Sequence, residues 1–280
     1  MTMYEFRNKY RYIFGKLGLL GFLRKIHDLR YPFRHLKCLN ESRKRQNGGT
    51  DKKFIRLKEF KNIHENQRCF IICTGPSLTL DDVNKLKNEY TFSMNSIIKL
   101  FDQTDWRPTY YIIEDAEVFL KLNDEINKWD MKNKFTSDFT LGNVSLQSSI
   151  ADTYIKYPLD LLNHGYPGII RKPLEYLFSD DIYSIVYHGM TVTYSTMQIA
   201  AYMGFKEIYL LGCDCDYRGE KQHFIDYGLK TETADDPESK AIAAYMTAKK
   251  YADEHGIKIY NATRGGKLEV FERVDLDSLF

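Results

Sequence analysis

The sequence predicts an α/β fold: a single Rossmann-like domain with a mostly parallel sheet, preceded by a basic helical N-terminal extension. Three observations support this. After Asn66, short apolar runs alternate with segments of helical period. Nearly every run stops at small or polar residues, as strands feeding a ligand crevice do. The charge is also divided: residues 1–68 hold 18 Lys and Arg against 6 Asp and Glu, while the rest hold 22 against 32, and the two parts nearly cancel to a net +2.

The domain organisation follows that division, with an amphipathic extension and linker over 1–50 and the α/β domain over 51–280. Residues 4–37 interleave Tyr10, Tyr12, Phe14, Leu20 and Phe22 with Arg24, Lys25, Arg30 and Arg34. A basic amphipathic helix of this kind suits an anionic membrane surface, and equally a charged helix packed on the body or serving a homo-oligomer. Asn40–Asp51, with Ser42, Asn47, Gly48 and Gly49, reads as a linker. No apolar run approaches the length of a membrane span, and Leu17–Leu23 is too short for a signal peptide. The five cysteines have no framework spacing, and Cys213 and Cys215 lie too close for a zinc knuckle, so a reducing cytoplasm is expected. The acidic body argues against nucleic acid as a partner.

Along the body, Arg68–Thr74 is a buried parallel strand and Thr79–Asn88 a helix with Asp81 and Asp82 in its first turn. Tyr90–Met94, Thr109–Ile113 and Ile182–Tyr187 are further strands. Val192–Met203 is a helix closed by Gly204, Glu207–Leu211 a strand, Ser239–His255 an Ala-rich helix and Ile257–Tyr260 the last strand.

Candidate chemistry gathers at the strand ends. Thr74-Gly75-Pro76-Ser77 fits a phosphate loop or an ordinary turn; it lacks the Lys of a Walker loop. Asn95, Ser96 and Asp115 follow the next two strands. Thr191, Val192 and Thr193 open a helix, where hydroxyls either cap the helix or meet an anion. Asp214, Asp216 and Tyr217 follow the Glu207–Leu211 strand. Asp214 suits a sugar or ribose hydroxyl, and Asp214 with Asp216 spells the Asp-x-Asp that holds a divalent metal on a nucleoside diphosphate. His223, in a polar loop, suits a base taking a proton from an acceptor hydroxyl, or a solvated side chain. His164, His188 and His255 are weaker candidates.

The segments CFIICTGPS, GMTVTYSTMQIAAYMGFKEIYLLGCDCDY and KIYNATRGGKLEVF together resemble a family that includes archaeal hydroxymethylpterin pyrophosphokinase-like proteins and bacterial surface-glycan proteins. They are more distantly similar to Campylobacter-type sialyltransferases. The resemblance runs from Arg68 onward. It implies a variant GT-A glycosyltransferase fold that needs no metal, with the nucleotide across Thr74–Ser77, Asn95, Thr191–Thr193 and Asp214. The sialyltransferase loop carries Asn where this chain has Thr74, and its catalytic His follows the Gly-x-Asp strand at a greater distance than His223 does. The expected activity is therefore transfer of a sugar from a CMP- or UDP-sugar to a surface polysaccharide or lipid-linked glycan, with inversion. No cofactor is required, and a metal is expected at Asp214 and Asp216 only with a metal-bound nucleoside diphosphate. The alternatives are a pterin pyrophosphokinase using ATP and Mg, and a non-catalytic nucleotide-binding subunit.

Overall fold

A computed structural model describes residues 30–144, 148–162, 176–218, 221–226, 228 and 236–280. Its strands are β1 (Arg68–Ile72), β2 (Tyr90–Met94), β3 (Tyr110–Ile113), β4 (Lys134–Ser137), β5 (Tyr154–Tyr157), β6 (Leu159–Asp160), β7 (Val186–Tyr187), β8 (Glu207–Leu211), β9 (Lys258–Asn261) and β10 (Glu272–Arg273). Its helices are α1 (Arg30–Gln46), α2 (Leu80–Lys85), α3 (Ala116–Ile126), α4 (Asp138–Asn143), α5 (Ser148–Ala151), α6 (Val192–Tyr202) and α7 (Pro237–Glu254). Eight strands form one sheet in the order β10-β9-β8-β1-β2-β3-β4-β5, and every neighbouring pair is parallel. The chain lays down β1 to β5 outward in one direction and then returns to the other side of β1 with β8. The topological switch point therefore falls between β1 and β8, where such sheets open a crevice.

Both faces of the sheet are covered, which explains why β1 reads as an unbroken apolar run rather than an alternation. Cys69 and Ile71 pack with Met197 and Ala200 of α6 and Ala244 of α7. Phe70 and Ile72 pack on the other face with Val83 of α2 and with Phe119 and Leu122 of α3. Helix α6 is buried on all sides from Thr193 to Ala200. Its C-terminal carbonyls, which have no partner within the helix, are met by the segment before β1: Asn62, His64 and Asn66 donate backbone N–H groups to Tyr202, Met203 and Gly204.

Several expectations change. The helix predicted over Thr79–Asn88 is only the six residues of α2. The strand predicted over Ile182–Tyr187 shortens to β7, which pairs with β6 in a separate two-stranded sheet. Residues 181–185 instead form a turn, in which the Asp181 carbonyl accepts from the Ser184 and Ile185 N–H groups at 3.0 and 3.1 Å, and the remaining strand is flanked by the fully buried Gln198 of α6. Its Oε1 accepts from Ser179 and Tyr187 N–H at 3.1 and 3.0 Å, and its Nε2 donates to the Tyr187 carbonyl at 2.8 Å. Strands β4 and β5 and helix α3 add elements that the sequence pattern did not reveal.

The stretch read as a linker is helical through Gln46. Its polarity misleads because its inward face is polar. Arg45, 8% exposed, donates to the Ser184 carbonyl through Nε and Nη2 and pairs with Asp51 at 3.1 Å, while His35 pairs with the buried Asp160. The basic, aromatic stretch before Arg30 lies outside the described residues, as does His164. Among the described residues, no helix is long and apolar enough to cross a membrane.

His64 locks the segment before β1. Its Nε2 meets the Tyr110 hydroxyl at 2.6 Å and its Nδ1 the Gln67 Oε1 at 2.8 Å, and its ring stacks on Phe205 at 4.5 Å. Burial lowers its pKa below the usual 6.5, against the opposing effect of Gln67. The folded state thus keeps the ring neutral where the unfolded chain takes up a proton, so this contribution is present above pH 6.5 and fades as pH falls through the folded value. In urea unfolding, the stability gap between the wild type and His64→Leu should be widest at pH 7.5 and shrink by pH 5.5; a gap independent of pH contradicts the assignment.

Candidate functional site

At the switch point the loops leaving β1 and β8 interlock. Cys73 and Gly75 donate their N–H groups to the Leu211 and Gly212 carbonyls at 2.8 and 2.9 Å, continuing the strand pairing past the sheet edge. The Asp214 carboxylate then folds back over Gly75. Its Oδ2 accepts from Ser77 Oγ at 2.9 Å and lies so close to Gly75 that an added Cβ there would sit 1.9 Å away. Burial raises the Asp214 pKa, and the bonds from Ser77 oppose the rise. The Asp214 main chain is held from behind by the segment after β9: Lys267 N–H donates to its carbonyl at 2.7 Å, and Gly266, at φ +70, approaches its backbone where no Cβ fits.

His223 reaches the same place. Phe224 N–H donates to the Thr74 carbonyl at 3.0 Å, and the His223 side chain is hydrogen-bonded to the Thr74 backbone. Burial lowers the pKa of the half-buried imidazole below the usual 6.5, opposed by the Thr74 contact and Asp226. It is therefore neutral near pH 7, as a base must be.

The first turn of α6 lies beside these loops. Thr191 caps the helix by accepting from Thr193 N–H at 3.3 Å, and Thr193 Oγ1 lies 3.3 Å from Cys73 Sγ and 3.6 Å from Met94 Sδ. Thr193 thus stands over the ends of β1 and β2. The other N–H groups of that turn face the crevice end of the helix, where the helix dipole favours an anion. Just past β2, Asn95 adopts φ +49, and its Oδ1 and the Ser96 Oγ are buried without hydrogen-bond partners among the described residues. Buried polar atoms of this kind are costly unless a ligand or water meets them.

The residues singled out from the sequence separate into three groups. Thr74, Gly75, Pro76, Ser77, Thr191, Val192, Thr193, Asp214 and His223 gather where the loops leaving β1 and β8 meet the first turn of α6, with Asn95 and Ser96 just past β2. Asp115 turns away to cap α3, accepting from Glu117 and Val118 N–H at 2.8 and 2.9 Å. Asp216 is drawn to Lys267 at 2.9 Å while Asp214 is held by Ser77, so the two carboxylates engage different partners. Among the described residues no group of three His, Cys, Asp or Glu gathers as a metal site. Tyr217 is largely covered, and burial raises the pKa of its hydroxyl.

The sequence places Glu114 after a strand without giving it a role, and His188 is only among its weaker candidates. Both sit at strand ends on the far flank of α6. Glu114 is 6% exposed beside the exposed Asp115, and neither identity nor spacing tells which of two adjacent acids points inward.

A doubly wound parallel sheet with a polar crevice at its switch point is the architecture of nucleotide-binding α/β proteins. The family model described as "6-hydroxymethylpterin diphosphokinase MptE-like" matches residues 50–220, and the chain belongs to that family. Among solved structures, the MAf glycosyltransferase from Magnetospirillum magneticum AMB-1 is similar at 16% identity with a TM-score of 0.50, over 81% of this chain and 38% of that one. The chain thus spans well under half of that protein. The sialyltransferase CstII from Campylobacter jejuni in complex with cytidine-5'-monophosphate aligns at 14% identity and a TM-score of 0.43, over 75% of this chain and 85% of that one. No curated protein matches the chain in sequence.

Gly75 is the tightest contact of the site. Gly75→Ala should cost about 1–3 kcal/mol of stability by overpacking, because the new methyl displaces the Asp214 carboxylate from Ser77. Gly142→Ala, in α4 with nothing within 4 Å of the added carbon, is the control and should leave stability unchanged or slightly raised. Thermal unfolding of both variants checks the contrast.

Proposed function

We propose that this protein transfers a sugar from a nucleotide donor to a hydroxyl group of a surface polysaccharide or lipid-linked glycan, in one inverting displacement. The observation that carries the reading is the meeting of the Thr74–Ser77 loop, Asp214, His223 and the α6 N-terminus at the switch point. The donor nucleotide lies across Thr74–Ser77, Asn95 and the Thr191–Thr193 turn, and Asp214 and Tyr217 border it. The acceptor oxygen attacks the anomeric carbon while the bond from that carbon to the phosphate oxygen breaks. The acceptor proton passes to the His223 imidazole. The departing phosphate keeps the bonding electrons and meets the N–H groups of the α6 first turn and of the Gly75–Ser77 loop.

The separate engagements of Asp214 and Asp216 favour a donor that needs no metal, such as a CMP-sugar. A metal-bound UDP-sugar requires both carboxylates to leave their present partners. The pyrophosphokinase suggested by the family description requires acids clustered around Mg, and the described residues hold no such cluster. The basic stretch ahead of the domain would hold the protein against an anionic membrane on its cytoplasmic face, beside a lipid-linked acceptor. Phe33 and Leu36 of α1, 73% and 63% exposed, add apolar side chains next to that stretch in the sequence.

The test is a thermal-shift panel of CMP, UDP, GDP and ATP, each with and without Mn or Mg. A nucleotide present at about 100 times its Kd adds roughly 2.7 kcal/mol of stability. A shift with CMP that ignores metal supports the reading. A shift with UDP that needs Mn recasts Asp214 and Asp216 as metal ligands, a shift with ATP alone supports the kinase, and no shift at all removes nucleotide chemistry from the site. Once a donor is found, His223→Ala should lower kcat by about 10²–10⁴ while nucleotide affinity stays nearly constant. The acid limb of the wild-type pH profile should have its midpoint below pH 6.5. Unchanged turnover in His223→Ala would mean another group is the base.

A further inference from the structure

Glu114 is the first residue past β3, and its carboxyl is a meeting point for groups from several elements. Its Oε2 accepts from the Tyr157 hydroxyl of β5 at 2.8 Å, and the buried Ser195 hydroxyl of α6 lies near the carboxyl. Its Oε1 lies 3.5 Å from His188 Nε2. Thr140 of α4 holds its main-chain carbonyl. His188 carries the connection onward, since its Nδ1 accepts the Met190 N–H at 3.2 Å. With Nδ1 an acceptor, the neutral ring carries its proton on Nε2, directed at Glu114.

The turn that this chain of contacts grips is a constrained one. Met190 is held at φ +67, where a non-glycine residue costs about 1–2 kcal/mol. Gly189 is wedged against Tyr194, whose ring would lie 2.3 Å from an added Cβ. The next residue, Thr191, is the cap of α6. Gln198 fixes the Tyr187 backbone immediately before the turn. The His188–Thr191 turn thus has one anchor in the helix it opens and another in the buried acid of β3.

We propose that Glu114 and His188 form a positioning pair that sets the α6 N-terminus for the donor phosphate and takes up a proton as that phosphate binds. The inference rests on the proposed nucleotide-binding function. An anion arriving at the α6 N-terminus finds a neighbouring pair that is either net neutral, with one proton beyond the one the neutral imidazole carries, or net negative, without that extra proton. Like charge disfavours the second state, so binding draws in the proton. Among the described residues, the groups facing Glu114 are His188, Tyr157, Ser195 and the adjacent Asp115, and none of these is a fixed cation. Burial pushes the Glu114 carboxyl up to about 7, the nearby Ser195 and Tyr157 hydroxyls work against the rise, and Asp115 adds to it, so the exchange falls within the neutral range.

The experiment is isothermal titration calorimetry of CMP and of UDP between pH 6 and 8, in buffers of different ionisation enthalpy, on the wild type, Glu114→Gln and His188→Gln. A binding-induced rise of about one pKa unit corresponds to about a tenfold loss of affinity as pH rises through the window. The wild type should show that loss together with proton uptake near pH 7. Glu114→Gln, which keeps the shape and the Tyr157 contact, should flatten both, and His188→Gln should reduce the uptake. The nucleotide's own titration is common to all three proteins and cancels in the comparison. A Glu114→Gln protein with weaker affinity but the same pH dependence and proton uptake as the wild type reduces Glu114 to a structural residue and overturns the proposal. Failure of the wild type to bind either nucleotide overturns the proposed function first and the linkage with it. Binding with no difference between wild type and variants overturns the linkage alone.

Discussion

The crevice depends on one close approach: the Asp214 carboxylate lying across Gly75 where the two halves of the sheet part. At a switch point the loops leaving neighbouring parallel strands run to opposite faces of the sheet, so a contact between those loops ties the two halves together. Here the tie is a carboxylate accepting from Ser77, together with backbone bonds from Cys73 and Gly75 to the β8 strand and its loop. The contact is short because residue 75 has no side chain. It fixes the direction in which the Thr74–Ser77 loop leaves β1. That direction places the Thr74 carbonyl where Phe224 N–H can reach it and brings His223 to the same edge. The remaining polar groups of the site are arranged around a geometry set by this one seated acid.

Helix α6 makes the second contribution, by being inside the molecule rather than on it. Ser195, Thr196 and Gln198 are fully buried, and each has a backbone or carboxyl neighbour to serve. A helix so enclosed has little freedom to shift, so its first turn presents N–H groups to the crevice at a fixed height above β1 and β2. The same enclosure transmits the state of Glu114 and His188 to Thr191 without any large motion.

Much of this architecture was legible in the sequence where burial on both faces demanded apolar runs, as in RCFII of β1 and EIYLL of β8. The elements that escaped have polar interiors. Strand β4 reads KFTS, and all four residues are buried between β3 and β5 although three of them are polar, so the strand lacks the apolar signature. The second half of helix α1, from Asn40 on, looked like a linker because Ser42 and Arg45, rather than Leu or Val, face inward. The crevice loops were visible as glycine and hydroxyl clusters after strands. The division of labour between Glu114 and Asp115, or between Asp214 and Asp216, was not, because each pair differs only in which backbone direction carries the side chain inward. That direction is decided by contacts with Tyr157, Ser77 and Lys267, far away in the chain.

The segment after β9 gives the fold an order of assembly. Asp214 receives its main-chain partner from Lys267, and the buried Asp82 of α2 receives both Nε and Nη2 of Arg264 at 3.0 and 2.9 Å. Arg273 of β10 in turn fastens the carbonyls of Thr263, Gly265 and Gly266. A nascent chain can therefore pair β1 through β5 and dock α6 while its acidic switch-point residue still lacks a backstop. The crevice takes its final shape only when residues 264–273 have folded back onto α2 and the loop after β8, so a polypeptide ending before Arg264 keeps the sheet's first strands but lacks the brace on Asp214.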